Sequence, residues 1–235
     1  MDLSAVFRSI TDPILDFVYP PVCISCNRLL PDGKHRICKD CWDSIACLTT
    51  NHPLYIETKE KLLAVGAVSD LVSVFVFEKE GIFQHIAHAL KYGGYESVGG
   101  DLGARLGTTM AEWGIRADFL VPIPLHRAKQ RERGYNQAEK ISEGVASVTG
   151  IRVLRKAVRR IKHTQTQTQL TSDERKKNME DAFIVNTSNA VLLKGKTCVL
   201  IDDVITTGAT INSCAKELTN AGVTQIVAAS AALAQ

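Results

Sequence analysis

The stretch "VLIDDVITTGAT", Val199 to Thr210, sets two adjacent acids after an apolar run and follows them with small and hydroxyl residues. Thr206, Thr207, Gly208, Ala209 and Thr210 have the composition of a strand-to-helix turn. Gly208 permits close backbone approach, the first helix amides point outward unpaired, and the hydroxyls add donors, which together make a phosphate cradle. No lysine follows the glycine, so this is not a P-loop. Asp202 and Asp203 would repel a bare phosphate. They make sense beside a phosphate attached to something rich in hydroxyls, such as a ribose, whose vicinal OH groups donate to carboxylates. A Mg²⁺ nearby would offset charge between the acids and a second phosphate group. The bland alternative is that one acid caps the next helix while the other is solvated. A lone Asp would be read that way; the pair followed by Thr-Thr-Gly-x-Thr is not.

A second constellation lies near the start. Cys23, Cys26, Cys38 and Cys41 form two C-x-x-C pairs with eleven residues between Cys26 and Cys38. Each two-residue gap lets a tight turn aim two thiolates at one ion, and two such turns complete a tetrahedron. Pro31, Asp32 and Gly33 suit a hairpin that returns the second pair over the first. In a reducing compartment this spacing favours structural Zn²⁺ over disulfides or redox pairs, and metal ligation would supply the folding energy of so short a segment. His35 reads as an ordinary surface residue. Cys198 and Cys214 read as small core residues.

The elements that must position these residues follow from periodicity. Strand patterns at "LVSVFVF", "DFLVPIPL", "VLRKAVRRI", "AFIV", "KTCVLIDDV" and "TQIVAASAAL" alternate with helix patterns. The helices fall at "IFQHIAHAL", Val98 to Trp113, "NQAEKISEGVASVTG" and Ile211 to Leu218. Such alternation implies a mostly parallel α/β sheet, with ligands beyond the carboxyl ends of its strands. Leu3, Val6, Phe7, Ile10, Ile14, Leu15 and Val18 recur at near-helical spacing ahead of the cysteines. The expected organisation is an N-terminal helix and four-cysteine knuckle over 1–50, a polar linker over 51–65, and the α/β domain over 66–235. At 235 residues and 45% hydrophobic, the chain can bury one substantial core. No apolar run spans a bilayer and the N-terminus lacks the form of a secretory signal, so the expectation is a soluble, cytoplasmic protein.

The net charge of +3 hides an asymmetry. From His126 to Lys177 there are fourteen Lys and Arg against five Asp and Glu, a local net of +9. That points to an anionic partner, although a solvated basic face is as common a reason. Arg131, Arg133, Arg159, Arg160 and Lys162 are the candidates for holding nucleic acid, with Tyr92, Tyr95 and Tyr135 as stacking partners for bases. "RGYNQ" could read a base or cap the next helix. "HTQTQTQL" has no apolar face and reads as a flexible lid. His85 and His88 read as surface residues.

The run Cys198 to Thr210 resembles the phosphoribosyl pyrophosphate (PRPP) motif of type I phosphoribosyltransferases. In that family the paired acids hold the ribose hydroxyls and the following loop holds the 5′-phosphate. The resemblance implies those roles for Asp202 and Asp203, and for Thr206, Thr207, Gly208, Ala209 and Thr210. It also implies Mg²⁺ with the PRPP, a contribution from Lys91 in "LKYGGY", and pyrophosphate binding by the basic loop after Pro124, beginning at Arg127. "VPIPLHRAKQRERGYNQAEKIS" and "HTQTQTQLTSDERKKNMEDAF" resemble signature segments of the ComF family, whose members also carry a four-cysteine zinc element. Membership would imply a phosphoribosyltransferase-like protein that binds PRPP or a related ribose phosphate and works in DNA uptake during natural transformation. Single-stranded DNA and proteins of the uptake machinery would then be partners. An active phosphoribosyltransferase of nucleotide or nucleobase metabolism, with an unidentified acceptor, is the alternative. The sequence shows no obvious general base, and turnover stays open at this level.

Overall fold

A computed structural model of the chain describes residues 21–30, 35–161 and 183–235. The N-terminal helix pattern, the Pro31–Gly33 hairpin, Lys162 and the "HTQTQTQL" segment lie outside these residues.

Five strands form the main sheet: β1 (Asp70–Val76), β2 (Phe119–Pro122), β3 (Arg152–Val153), β6 (Thr197–Ile205) and β7 (Gln225–Leu233), in the order β1-β7-β6-β2-β3. Every pairing in it is parallel. A separate antiparallel pair is made by β4 (Val158–Arg160) and β5 (Phe183–Val185). "VLRKAVRRI" therefore does not form one strand. A turn at Lys156, whose φ of 58° is left-handed, divides it between the two sheets.

The side-chain period of two assigns each sheet face to its helices. In β6, Val199 and Ile201 join one core layer with α3 (Ile82–Tyr92), α4 (Glu96–Glu112) and α6 (Gln137–Thr149). Cys198 and Leu200 join the other, with α2 (Pro53–Leu63), α7 (Thr187–Leu193) and α8 (Ala209–Asn220). Both faces of the sheet are thus covered, as parallel sheets require. Residues 51–65, expected as a linker, hold α2 instead. Polar residues fill its outer side, but Leu54, Tyr55 and Leu62 are buried in the second layer, and Tyr55 Oη donates to the Leu71 carbonyl at 2.8 Å.

The four-cysteine element is built onto the same core. Cys38 caps α1 (Lys39–Asp43), and Trp42 from that helix stacks on Phe75 of β1 with ring centroids 6.0 Å apart. The Arg105 guanidinium lies over the Trp42 ring, 4.1 Å from its centroid. Residues 46–48 then run along the free edge of β1. Leu48 N–H donates to Val74 O at 2.7 Å and Val76 N–H to Ala46 O at 2.9 Å, so the edge strand is capped by main chain.

The tightest helix contact is between α4 and α6, where glycines let the backbones touch. A Cβ on Gly103 would sit 2.0 Å from the Ile141 carbonyl oxygen, and one on Gly144 2.3 Å from that of Gly100. Alanine ordinarily favours a helix over glycine, but here the added methyl meets backbone that cannot yield. Gly103→Ala is expected to lower unfolding free energy by about 1–3 kcal/mol, measured by urea denaturation. An unchanged or raised midpoint would contradict this close packing.

Candidate ribose-phosphate site and zinc centre

The two connections leaving the middle of the sheet diverge. From β6 the chain passes through α8 to β7 on one side; from β2 it passes through α5 (Arg127–Arg133) and α6 to β3 on the other. The carboxyl ends of β2 and β6 therefore flank the topological switch point, where open α/β sheets leave a crevice. β2 stops at Pro122, paired with Ile201, because prolines at 122 and 124 lack the donor needed to continue the ladder. β6 keeps its pairing with β7 as far as Ile205. Asp202 and Asp203 are thus inside the strand, in its overhanging part, and not after its end.

Consecutive strand residues face opposite ways, yet the two carboxyls stay close enough to act on each other, and the Lys91 charge acts on both. Asp203, in phase with Val199 and Ile201, takes an ion pair from Lys91 at the end of α3, Nζ to Oδ2 2.7 Å. Asp202, in phase with Cys198 and Leu200, lies where the Arg160 charge acts on it. Burial is the main cause pushing the Asp202 carboxyl well above its ordinary range, with the Asp203 charge next and Lys91 opposing. The Asp203 amide donates to Asp202 Oδ1 at 2.9 Å. Lys91 itself is placed by a neighbouring contact: buried Tyr135 donates its hydroxyl to the Leu90 carbonyl.

After Ile205 the chain turns at exposed Thr206 and Thr207 and enters α8 at Ala209, with Thr210 in its first turn. Gly208 sits at the N-cap with φ 73° and no side-chain cap, and Thr207 Oγ1 approaches the Ala209 amide at 3.4 Å. A Cβ on Gly208 would lie 2.5 Å from Leu62 Cδ2. The glycine is thus required by the packing of α2 under the loop as well as by its φ. Sequence reading missed that support, since Leu62 lies in the stretch expected as linker; only the spacing of Leu54, Leu62 and the aromatic Tyr55 could have signalled it.

The pair of carboxylates suits Mg²⁺ in chemistry, as hard oxygen donors. Among the described residues no third acid, His or Cys joins them in a metal-holding group. Two carboxylates fit a magnesium that takes its other oxygens from phosphate and water.

The four cysteines fit zinc closely. Their sulfurs lie within 4.8 Å of one another, with Cys23 to Cys41 at 3.8 Å and Cys26 to Cys38 at 3.6 Å. A tetrahedral ion with metal–sulfur bonds of about 2.3 Å sets its sulfurs about 3.8 Å apart, whereas disulfide sulfurs would be at about 2 Å. Burial works to raise the Cys23 thiol, but amide hydrogen bonds from Cys38, Cys26 and Ser25 outweigh it and bring it down to about 6. Burial and the surrounding sulfurs push Cys41 the opposite way. Four thiolates this close become compatible once a dication sits among them, and a closed four-sulfur set is structural.

The basic residues are dispersed. The loop expected after Pro124 is helix α5, capped by His126, with Arg127 and Arg131 exposed. Four of its seven residues are Arg or Lys, of which Arg127 and Arg131 are exposed and Lys129 and Arg133 partly covered. Arg133 is partly buried, donating to Gln137 Oε1 at 2.9 Å with its guanidinium 5.3 Å from the Tyr92 ring centroid. Arg159 is exposed, while Arg160 is partly buried with its guanidinium over Phe183. Tyr135, expected as a stacking partner, is only 9% exposed and so has no free face. Asn136 in "RGYNQ" caps α6 through Ala138 N–H and ties it to β2 by donating to Ile123 O at 2.9 Å. Tyr92 remains open at 58% exposure. His85 and His88 are exposed on α3. A cavity of about 600 Å³ opens beside the end of β2, between α5, the start of α6 and the β4–β5 pair. Arg127, Arg159 and Arg160 line it; Asp202, Asp203 and the Thr206–Thr210 turn do not.

Residues 132–234 match the family model described as "Phosphoribosyl transferase domain", and residues 14–54 match "Double zinc ribbon domain". The sheet, the switch-point crevice and the four-sulfur cluster agree with both. The chain is similar to competence protein F of Haemophilus influenzae, 38% identical over 109 residues, which is 46% of this chain and 47% of that one. It is 29% identical over 109 residues to the DNA utilization protein YhgH of Escherichia coli K12, covering 46% of each. The matches span about half the length of these curated relatives. Among solved structures, glutamine PRPP amidotransferase from B. subtilis matches 57% of this chain and 26% of its own, at 21% identity and a TM-score of 0.40. Among the described residues no helix is long and apolar enough to cross a membrane.

The raised Asp202 pKa carries a sign. Because the folded state binds this proton more tightly than the unfolded chain, where Asp titrates near about 3.9, stability falls as pH rises from there through the raised folded value. Asp202→Asn should therefore raise the melting temperature of the ligand-free protein at neutral pH and flatten its decline with pH. A lower melting temperature in the variant would contradict this reading.

Proposed function

The chain belongs to the ComF family, and from that membership and the geometry of β6 we propose that it binds PRPP, or a related ribose phosphate, with Mg²⁺. The observation that carries this reading is the acid pair on the overhang of β6, followed directly by the Thr206–Thr210 turn into α8. The turn supplies main-chain donors, the hydroxyls of Thr206, Thr207 and Thr210, and the positive end of a helix for a 5′-phosphate. Asp202 and Asp203 accept from the ribose hydroxyls. Lys91, already paired with Asp203, adds a cation at the same rim. Arg127 stands at the neighbouring strand end for the pyrophosphate group. A bound magnesium would spread the charge between the carboxylates and the phosphate oxygens. What these residues can do is bind, orient and neutralise; such positioning favours loss of pyrophosphate from the anomeric carbon if turnover occurs.

The printed names of the relatives, one a competence protein and the others DNA utilization proteins, support a setting in DNA uptake. In that setting the zinc element would be a platform for a partner of the uptake machinery, in the cytoplasm. Single-stranded DNA is the macromolecular ligand we assign. Arg131 and Arg159 are the exposed cations for it, while Arg133 and Arg160 are partly engaged within the fold.

Calorimetry with PRPP, with and without Mg²⁺, tests the reading. Binding is expected to need the metal and to be lost in the double variant Asp202→Asn, Asp203→Asn. Undiminished binding by a folded double variant would sink the assignment. Pyrophosphate release measured in the same mixture separates an enzyme from a binding protein.

A further inference from the structure

Besides the Trp42–Phe75 stack, the zinc element touches the fold at the corner between α3 and α4. Residues 93–95 make this corner, and Gly94 turns it with φ 70°. Tyr95, just ahead of α4, lays one side of its ring against the end of α3. A Cβ on Gly93 would stand 2.7 Å from Tyr95 Cδ2 and 2.9 Å from its Cε2, so only glycine admits the ring there. Over the same ring lies the Arg36 guanidinium, 5.6 Å from the centroid. A cation in that position is attracted by the ring quadrupole. Next to it in the sequence, His35 Nδ1 stands 3.6 Å from Asp101 Oδ1 of α4.

Arg36 is aimed at the corner by the cysteine turns. Its carbonyl accepts from Ile24 N–H at 2.9 Å, and the Cys38 amide donates to Cys23 Sγ at 3.4 Å. Between them Ile37 is 2% exposed, in the core layer shared with α3 and α4. Ligation of zinc by Cys23, Cys26, Cys38 and Cys41 would hold this main chain in place, since metal binding supplies the order of so short an element. Among the described residues Arg36 has no ion-pair partner, so no carboxylate draws it off the ring. What the corner carries is Lys91. It lies in the last turn of α3, two residues before Gly93, and its Nζ reaches Asp203 Oδ2 at 2.7 Å. Gly93 N–H donates to Ala89 O at 2.9 Å, and Lys140 Nζ holds Glu96 at 2.9 Å on the α4 side. Helix ends open first unless contacts restrain them. The Tyr95 ring therefore has a use within the fold, apart from the base stacking expected of its type.

We propose that the zinc element positions Lys91 at the ribose-phosphate site, with Arg36 and Tyr95 as the positioning residues. The restraint passes through packed side chains and main chain in contact, from the cysteine turns to Arg36, Tyr95, Gly93 and Lys91. Its consequence for a ligand rests on the ribose-phosphate reading; the hold on the end of α3 does not.

Hydrogen exchange of the zinc-loaded, ligand-free full chain tests the hold, and calorimetry with ribose 5-phosphate and Mg²⁺ tests its consequence. Arg36→Ala and Tyr95→Ala should each speed exchange at residues 90–93 several-fold and leave residues 206–210 unchanged. Tyr95→Phe keeps the ring and should restore slow exchange. Affinity for ribose 5-phosphate should fall about threefold in Arg36→Ala, the size expected of one cation–π contact at a partly exposed site. In a Lys91→Met background the same substitution should change affinity no further. A thermal melt of each variant checks folding. Unchanged exchange at 90–93 in a folded Arg36→Ala protein would overturn the proposal. So would a full threefold loss in the Lys91→Met background, because Arg36 would then act on the ligand by another route. If the unaltered protein binds no ribose 5-phosphate while Arg36→Ala still speeds exchange at 90–93, the ribose reading fails and the hold on Lys91 stands.

Discussion

Two carboxylates on consecutive residues of a largely buried strand repel each other and lose hydration, and the structure is arranged around that cost. β6 outruns its neighbour β2 by four residues, so the acids stand where one flank of the strand is open. The two carboxyls still act on each other across the strand, and cationic charge offsets them. Lys91 reaches Asp203 from the end of α3, and the Arg160 charge acts on Asp202 from the β4–β5 side. The burden left on Asp202, a carboxyl pushed upward mainly by burial, is what a site looks like when it is shaped for a ligand and not for stability alone.

That arrangement reaches far into the fold. Lys91 depends on α3, whose last turn is fixed by the Tyr135 hydroxyl. Tyr135 precedes Asn136, which caps α6 and ties it to β2. α6 in turn lies against α4 at a distance only glycine allows. On the other face, the Thr206–Thr210 turn rests on Leu62 of α2. The four-cysteine element closes the far edge of the sheet through residues 46–48 and the Trp42–Phe75 stack, so zinc ligation and the α/β core share one apolar layer.

Much of this was legible because local chemistry declared it. The Cys-x-x-Cys pairs, the apolar alternation of β6 and the Thr-Thr-Gly-x-Thr turn each fix their structure within a dozen residues. What was not legible depended on tertiary context. Residues 51–65 look polar because α2 exposes most of its surface, and only its packing against the sheet reveals why Leu54 and Leu62 are apolar. "VLRKAVRRI" has strand composition throughout, and nothing local marks the turn at Lys156. The prolines after Val121 end β2, but the continuation of β6 past that point is set by its other neighbour, β7. Tyr135 carries the residue type of a nucleic-acid surface yet serves inside the fold, since burial cannot be read from identity.

The central claim is that the acid pair and the loop after it form one ribose-phosphate site. A crystal structure of the protein with ribose 5-phosphate and Mg²⁺ tests it most directly. The account predicts the 5′-phosphate against the main chain of Thr206–Thr210 and ring hydroxyls within hydrogen-bond distance of Asp202 and Asp203. A sugar phosphate seated only in the cavity between β2 and the β4–β5 pair, with the acids untouched, would contradict it.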